Sequence, residues 1–143
     1  MALKIIIALV GAAALAFLVM IRPPEFKTPT HVQVGGVTIP VEVADSPEEQ
    51  TRGLSGRDSL PEGNGLLFDF KGQGVWGIWM KDMNFPIDIV WANDTVVTVA
   101  YGVSPDTYPQ VFTPVSPVRY VLELPAGYAA QHGIVEGVPF VVQ

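Results

Sequence analysis

Apolar residues recur along this chain in two rhythms. The first is unbroken: residues 5–21 carry no charged or polar side chain. Beyond residue 30 the rhythm shortens, and apolar and polar positions alternate over a few residues at a time, the period of strands with one buried face. Residues 31–34 and 37–43 alternate around Gly35-Gly36, which can supply the positive φ of a tight turn, and so predict a hairpin. Ser46-Pro47-Glu48-Glu49 follows: a serine N-cap, proline at the first helical position and a glutamate completing a capping box. Gly53 can end that helix in the left-handed conformation after about two turns. Residues 55–65 read as a polar loop. The segments 66–70, 75–81, 87–91 and 95–101 are short, rich in aromatic and β-branched residues, and bounded by Gly, Pro, Asn or Asp. Four prolines between residues 103 and 117 predict an irregular loop. A strand at 118–124, a short helical stretch opened by Pro125-Ala126-Gly127 and a last strand at 138–142 complete the pattern. The expected fold is mainly β: one antiparallel sandwich or barrel-like domain with two short helices, preceded by one transmembrane helix.

The apolar run sets the domain plan. Seventeen helical residues span roughly 25 Å, and residues 1–3 with a snorkelling Lys4 bring this to the thickness of a hydrocarbon core. Pro23-Pro24 stops the helix. A cleaved signal peptide is the competing reading, since Ala14 and Ala16 fit a small-x-small cleavage site. Five large apolar residues then follow, which favours a retained anchor. The plan is therefore an anchor at 1–22, a proline-rich linker at 23–29 and a β domain at 30–143. Ala8, Gly11, Ala12 and Ala16 form a small-residue face suited to packing against another membrane helix, although alanine is also simply common in short anchors. Lys4 stands on one side of the anchor and Arg22 and Lys27 on the other, so charge barely orients it; the C-terminal domain is expected outside the cytoplasm.

Composition narrows the function. Lys and Arg total 8 and Asp and Glu 14, a net charge of −6. An acidic surface repels phosphate backbones, so no nucleic-acid partner is expected. There is no cysteine, which excludes disulfides, thiolate metal sites and cysteine nucleophiles. No nucleophile-elbow, zincin, Walker A or dinucleotide-binding motif occurs, and no cofactor or metal is expected. His31 and His132 lie near opposite ends of the domain and read as unligated.

The informative feature is charge on strands that otherwise look buried. Taking each strand by alternation, Asp69 shares a face with Leu67, Asp88 with Val90, and Arg119 and Glu123 with Val121, while Lys81 lies with Trp79. A buried charge needs a partner. These five residues form a structural network with one another or a solvated face, or else line a semi-buried polar pocket for a small ligand.

Several runs then carry a resemblance: Arg52-Gly53-Leu54, Gly65-Leu66-Leu67-Phe68-x-Phe70, Trp79-Met80-Lys81, Pro86-Ile87-Asp88-Ile89 and residues 121–127 (VLELPAG). In that order and spacing they resemble the prokaryotic family called domain of unknown function 192 (DUF192), over roughly residues 41–143. The resemblance implies a compact, mainly β domain, often behind a signal peptide or anchor, with no established activity. It marks Arg52, Trp79, Lys81, Asp88 and Glu123 as family positions. Three departures stand out: Ser55-Gly56 where the family often has large residues, Asp82 where it commonly has Asn, and Val138 after Gly137 where it favours Asp. A carboxylate beside Lys81 could pair with it and quench it.

Two functions follow. The first is a non-catalytic interaction domain, anchored by a single pass in the bacterial inner membrane with its domain facing the periplasm, acting as an accessory or stabilising subunit of a larger membrane protein complex, such as a bioenergetic one. Few charges and aromatic, proline-rich loops suit that role. The alternative is a periplasmic small-ligand-binding domain or minor hydrolase using Lys81, Asp88 and Glu123, with Arg52, Asp69 and Arg119 in the wider polar set.

Overall fold

The computed structural model describes residues 30–143. The expected anchor, its packing face and the linker lie outside the described residues. Among the described residues no helix is long and apolar enough to cross a membrane.

The chain is mainly β, with the two short helices the sequence predicts. β1 (His31–Val34) and β2 (Val37–Ala44) form the expected hairpin, and Gly35 and Gly36 take φ of 59° and 79° at its turn. α1 (Pro47–Arg52) opens on the capping box: the Ser46 hydroxyl accepts from the Glu49 amide at 3.3 Å, and the Glu49 carboxylate accepts from the Ser46 amide at 3.2 Å. Gly53 ends the helix at positive φ, but its ψ of −129° lies outside the left-handed helical region that the sequence suggested. β3 (Gly65–Gly74), β4 (Ile78–Trp79), β5 (Ile87–Ala92), β6 (Val96–Val103), β7 (Val111–Phe112), β8 (Val118–Pro125), α2 (Tyr128–Gln131) and β9 (Phe140–Val142) follow.

Seven strands form one curled sheet, a half-barrel in the order β6-β5-β8-β3-β2-β1-β9. The curl brings its two edges together at one corner, where Thr95 bridges Pro139 and the Val96 amide donates to the Val138 carbonyl at 2.9 Å. Closing the edges in this way protects strands that would otherwise offer unpaired backbone.

Three expectations are corrected. The sheet is mixed, because β2 and β3 run parallel. The connection between them, residues 45–64, contains α1 and is the kind of crossover that parallel strands require. Residues 75–81 are not one strand: β3 runs on to Gly74, and only Ile78–Trp79 pairs again, in a separate two-stranded ribbon with β7. That ribbon also places a strand inside the proline-rich stretch read as irregular. Pro109 and Pro114 flank β7 instead of interrupting it, so no ladder hydrogen bond is lost.

The central strands β3, β5 and β8 are covered on both faces, and every residue of β5 is buried. One core, inside the curl, gathers Val32, Ile39, Leu67, Val90, Leu122 and Ile134. The other lies on the opposite face, where the loop after α1 and the β4–β7 ribbon cover Leu66, Phe68, Ile89 and Trp91 with Leu54, Leu60, Ile78 and Met80. Trp91 is fully buried, and its indole N–H donates to the Trp76 carbonyl at 2.8 Å.

Candidate functional site

Cross-strand register divides the five strand charges. Residues in register across a sheet share a face, and one row reads Glu42, Leu66, Glu123, Ile89. Asp88 is in register with Leu124, and Asp69 with Tyr120. Glu123 therefore projects into the second core, while Asp69 and Asp88 project towards the core inside the curl. Alternation separates Asp69 and Asp88 from Leu66, Phe68, Ile87 and Ile89 as expected, but Arg119, which it places with Glu123, reaches Asp69 where the β3–β8 register shifts, and Glu123 meets the apolar faces of β3 and β5.

Asp69 is 3% exposed and fully partnered. The Arg119 guanidinium donates to both its oxygens, at 2.9 and 3.0 Å, and Lys71 reaches it through its amide and its ammonium, both at 3.0 Å. Burial alone would raise this carboxyl; the Arg119 and Lys71 hydrogen bonds outweigh it and bring the group down to about 2. Asp88 is wholly buried and accepts from the Gly102 amide at 2.7 Å and from the Ala129 amide, at the start of α2, at 2.9 Å. It pins a β6 bend and a helix to β5. Both acids are structural.

Glu123 is different. It is 5% exposed, and its Oε2 has no hydrogen-bond partner among the described residues. Burial pushes its carboxyl up to about 8, and the charge of Arg57 offsets little of this. Arg57 is already held by Glu42, two hydrogen bonds at 3.0 and 2.8 Å lowering the Glu42 carboxyl. At neutral pH Glu123 thus carries its proton, the usual remedy for a carboxyl enclosed by apolar side chains.

The Glu123 carboxyl lies in the wall of a cleft of about 400 Å³ between α1 with its following loop, the β4 ribbon and the sheet. Phe68, Phe70, Ile78 and Met83 give the cleft apolar walls, and Gln50, Thr51, Arg52 and Ser55 give polar ones. Phe70 is stacked between Phe68, at 6.0 Å, and Trp76, at 4.3 Å, which fixes the two phenyl rings that line the cleft. Trp79 also lines the cleft, 47% exposed, with Tyr108 edge-on at 5.8 Å and the Lys81 ammonium 5.7 Å from its ring centre. Gly53 lines it too. A Cβ there would stand 3.3 Å from the Phe68 ring, and its positive φ disfavours a side chain in any case.

Of the residues marked in the sequence, Arg52, Trp79 and Glu123 meet at this cleft. Asp69 and Arg119 pair elsewhere, Asp88 is consumed by backbone amides, and Lys81 rests on Trp79 without an ion pair among the described residues. Asp82 does not quench Lys81. Instead two of the three departures touch one another: the Ser55 hydroxyl donates to the Lys81 carbonyl at 2.8 Å, and the Gly56 amide donates to the Asp82 carbonyl at 2.8 Å. With Asn84 donating to the Arg57 carbonyl at 2.9 Å, these bonds tie the loop after α1 to the turn before β5. The third departure, Gly137-Val138, lies at the corner where the sheet edges meet. His31 bonds Thr30 at the surface, and His132 stacks on Tyr128. Gln50, Phe70, Ile78 and Met83 were not marked by the sequence. Their signal is their closeness in sequence to the capping box and the ribbon, which becomes meaningful only once the parallel crossover is known.

Fold and cleft together define a mixed-sheet half-barrel with the buried acid Glu123 in the wall of a surface pocket. Residues 30–141 match the family DUF192, described as an uncharacterised ACR family, and the chain belongs to it. Two solved structures are among those that share the fold. One, from Sinorhizobium meliloti 1021, is named as a candidate transcription regulator; it is 28% identical with a TM-score of 0.74, over 80% of this chain and 94% of its own. The other, a protein of unknown function from Novosphingobium aromaticivorans DSM 12444, is 25% identical with a TM-score of 0.74, over 85% of this chain and 90% of its own. No curated protein matches the chain.

Proposed function

We propose that this domain binds a small molecule in the cleft between α1 and the β4–β7 ribbon, with Glu123 as the polar group at its wall. One observation carries the reading: a carboxyl that is nearly inaccessible to solvent, lacks a partner on Oε2 and borders a cleft of about 400 Å³. Buried polar groups are otherwise satisfied, and an exception in a concave, partly apolar site calls for a ligand. Binding fits better than hydrolysis. Among the described residues Glu123 is the sole carboxylate lining the cleft, whereas paired acid–base chemistry needs a second group within reach. The regulator name of the Sinorhizobium structure does not carry over to DNA binding, because the net charge of −6 opposes a phosphate backbone. The apolar run at 1–22, as an anchor, would hold the binding domain at the bacterial inner membrane on its periplasmic side.

The test is fragment binding to the full chain, followed by the NMR signals of Trp79 Nε1–H and the Gln50 side-chain amide. Fragments should perturb these signals together, and Thr51→Trp, which fills the mouth, should abolish the effect. Perturbations scattered over the surface, or unchanged by Thr51→Trp, would overturn the reading.

The accessory-subunit reading draws support from a separate feature. Val75, Trp79, Tyr108, Val111 and Val115 are large apolar side chains left exposed on and around the β4–β7 ribbon, and exposed apolar patches mark contact surfaces. Purification in mild detergent with mass spectrometry should then recover a partner in fixed ratio. Loss of that partner on Val111→Lys would support this reading, and a solitary chain would count against it.

A further inference from the structure

Resting on the cleft reading above, we infer that the ligand's deep end is uncharged and accepts a hydrogen bond from the Glu123 side chain, and that its body carries a ring held against the cleft-lining aromatic side chains Phe68, Phe70 and Trp79. Three observations lead there.

The first is the charge around the carboxyl. From β3 and β5 the residues in register with Glu123 are Leu66 and Ile89, both apolar. From β2 the nearest charged group in that row is Glu42, which is occupied by Arg57. From α1 comes Arg52, which lines the cleft, and Lys81 sits against the cleft-lining Trp79. Two cations therefore border the cleft, which disfavours a cationic ligand. An anionic deep end would have to shed its water against apolar walls, with no cation paired to Glu123 to receive it. An uncharged head avoids both costs.

The second is the state of the acid. With its carboxyl held up to about 8, Glu123 offers an O–H donor at neutral pH. A carbonyl, amide or hydroxyl oxygen on the ligand is the complementary group.

The third is shape. Phe68, Phe70 and Trp79 all line the cleft, the two phenyl rings fixed by the Phe68–Phe70–Trp76 stack and the Trp79 indole half-exposed. Aromatic side chains pair with a further ring through edge-to-face or offset contacts. A volume of about 400 Å³ suits one or two rings.

Three probes of one shape and different charge test this: benzamide, benzylammonium and benzoate, each titrated against the full chain with the Trp79 indole signal as readout. Benzamide should bind at least about tenfold more tightly than either ion. Its affinity should hold to pH 7 and fall roughly tenfold by about pH 9, as the donor proton is lost. Glu123→Gln keeps a neutral donor, so it should bind benzamide within about threefold of wild type and lose the pH dependence. Glu123→Leu should weaken benzamide by about tenfold or more. Tighter binding of benzylammonium that strengthens with rising pH and disappears in Glu123→Gln would overturn the uncharged-head inference, and so would preferential binding of benzoate; both would leave the cleft reading standing. If none of the three probes shifts the Trp79 signal, both the inference and the cleft reading fail.

Discussion

Asp69 and Glu123 stand on the neighbouring strands β3 and β8, each almost wholly buried, yet they lie in opposite circumstances. Asp69 has Arg119 and Lys71 on its oxygens and stays ionised far into acid. Glu123 has an orphaned oxygen and stays protonated to about pH 8. The residue types are nearly the same, and so is their solvent exposure. What differs is whether the chain itself supplies the partner. Asp88, satisfied by two backbone amides, belongs with Asp69. Where the fold completes an acid's hydrogen bonding, the acid serves structure. Where it leaves the bonding open beside a cleft, the proposed ligand would supply the missing partner.

The sharpest way to break this comparison is pH, because the two acids act with opposite sign. Glu123 is protonated in the folded chain while its unfolded counterpart, with an ordinary value near 4.5, is not. Its contribution to stability is therefore full below that value and declines as pH rises towards about 8, at a limiting slope of about 1.4 kcal/mol per pH unit. Glu123→Gln should flatten that decline, leaving the variant more stable than wild type by a few kcal/mol near pH 8 in urea denaturation. A wild-type curve already flat between pH 5 and 8 would show that Glu123 is solvated or paired.

Asp69 works the other way. Its folded value near 2 lies below the ordinary 3.8, so its contribution is full above the ordinary value and is lost as pH falls towards 2. Asp69→Ala should cost about 3 kcal/mol at pH 7, because Arg119 and Lys71 lose their shared partner. Half-exposed Arg119 and Lys71 can turn to water, which keeps the loss at the lower end for a broken buried pair. A loss under about 1 kcal/mol would mean the bridge behaves as a surface contact.

Asp88→Asn is expected to have a smaller effect. One amide oxygen can replace one carboxylate oxygen, but the other position becomes an N–H₂ facing a backbone amide. About 2 kcal/mol should be lost, and hydrogen exchange at Ala129 should quicken as α2 loosens. Unchanged exchange at Ala129 would remove Asp88 from the anchoring of that helix.

The fold was legible in the sequence wherever local rules are decisive. The glycine pair at 35–36, the capping box on Ser46 and Glu49, and the alternation of β3, β5 and β8 are local, and the structure has them all. The parallel pairing of β2 with β3 is not a local property. Its one signal, a helix inside the 45–64 connection, marks a crossover that was read as part of an antiparallel chain. The site was legible in part. Burial of Asp69, Asp88 and Glu123 follows from alternation, and Arg52, Trp79 and Glu123 do converge. Which face each acid reaches depends on register between strands distant in sequence, and a one-residue change of parity moves a side chain to the other side of the sheet. That parity separates Glu123 from Asp88, so no chemistry shared by the two is available.

The central claim is that Glu123 is a buried, unpaired acid awaiting an external partner. Its most direct test is the carboxyl ¹³C titration of Glu123 in the ligand-free full chain. A midpoint near 8 is predicted, moving when benzamide occupies the cleft. A midpoint in the ordinary range near 4.5, unmoved by benzamide, would contradict the account.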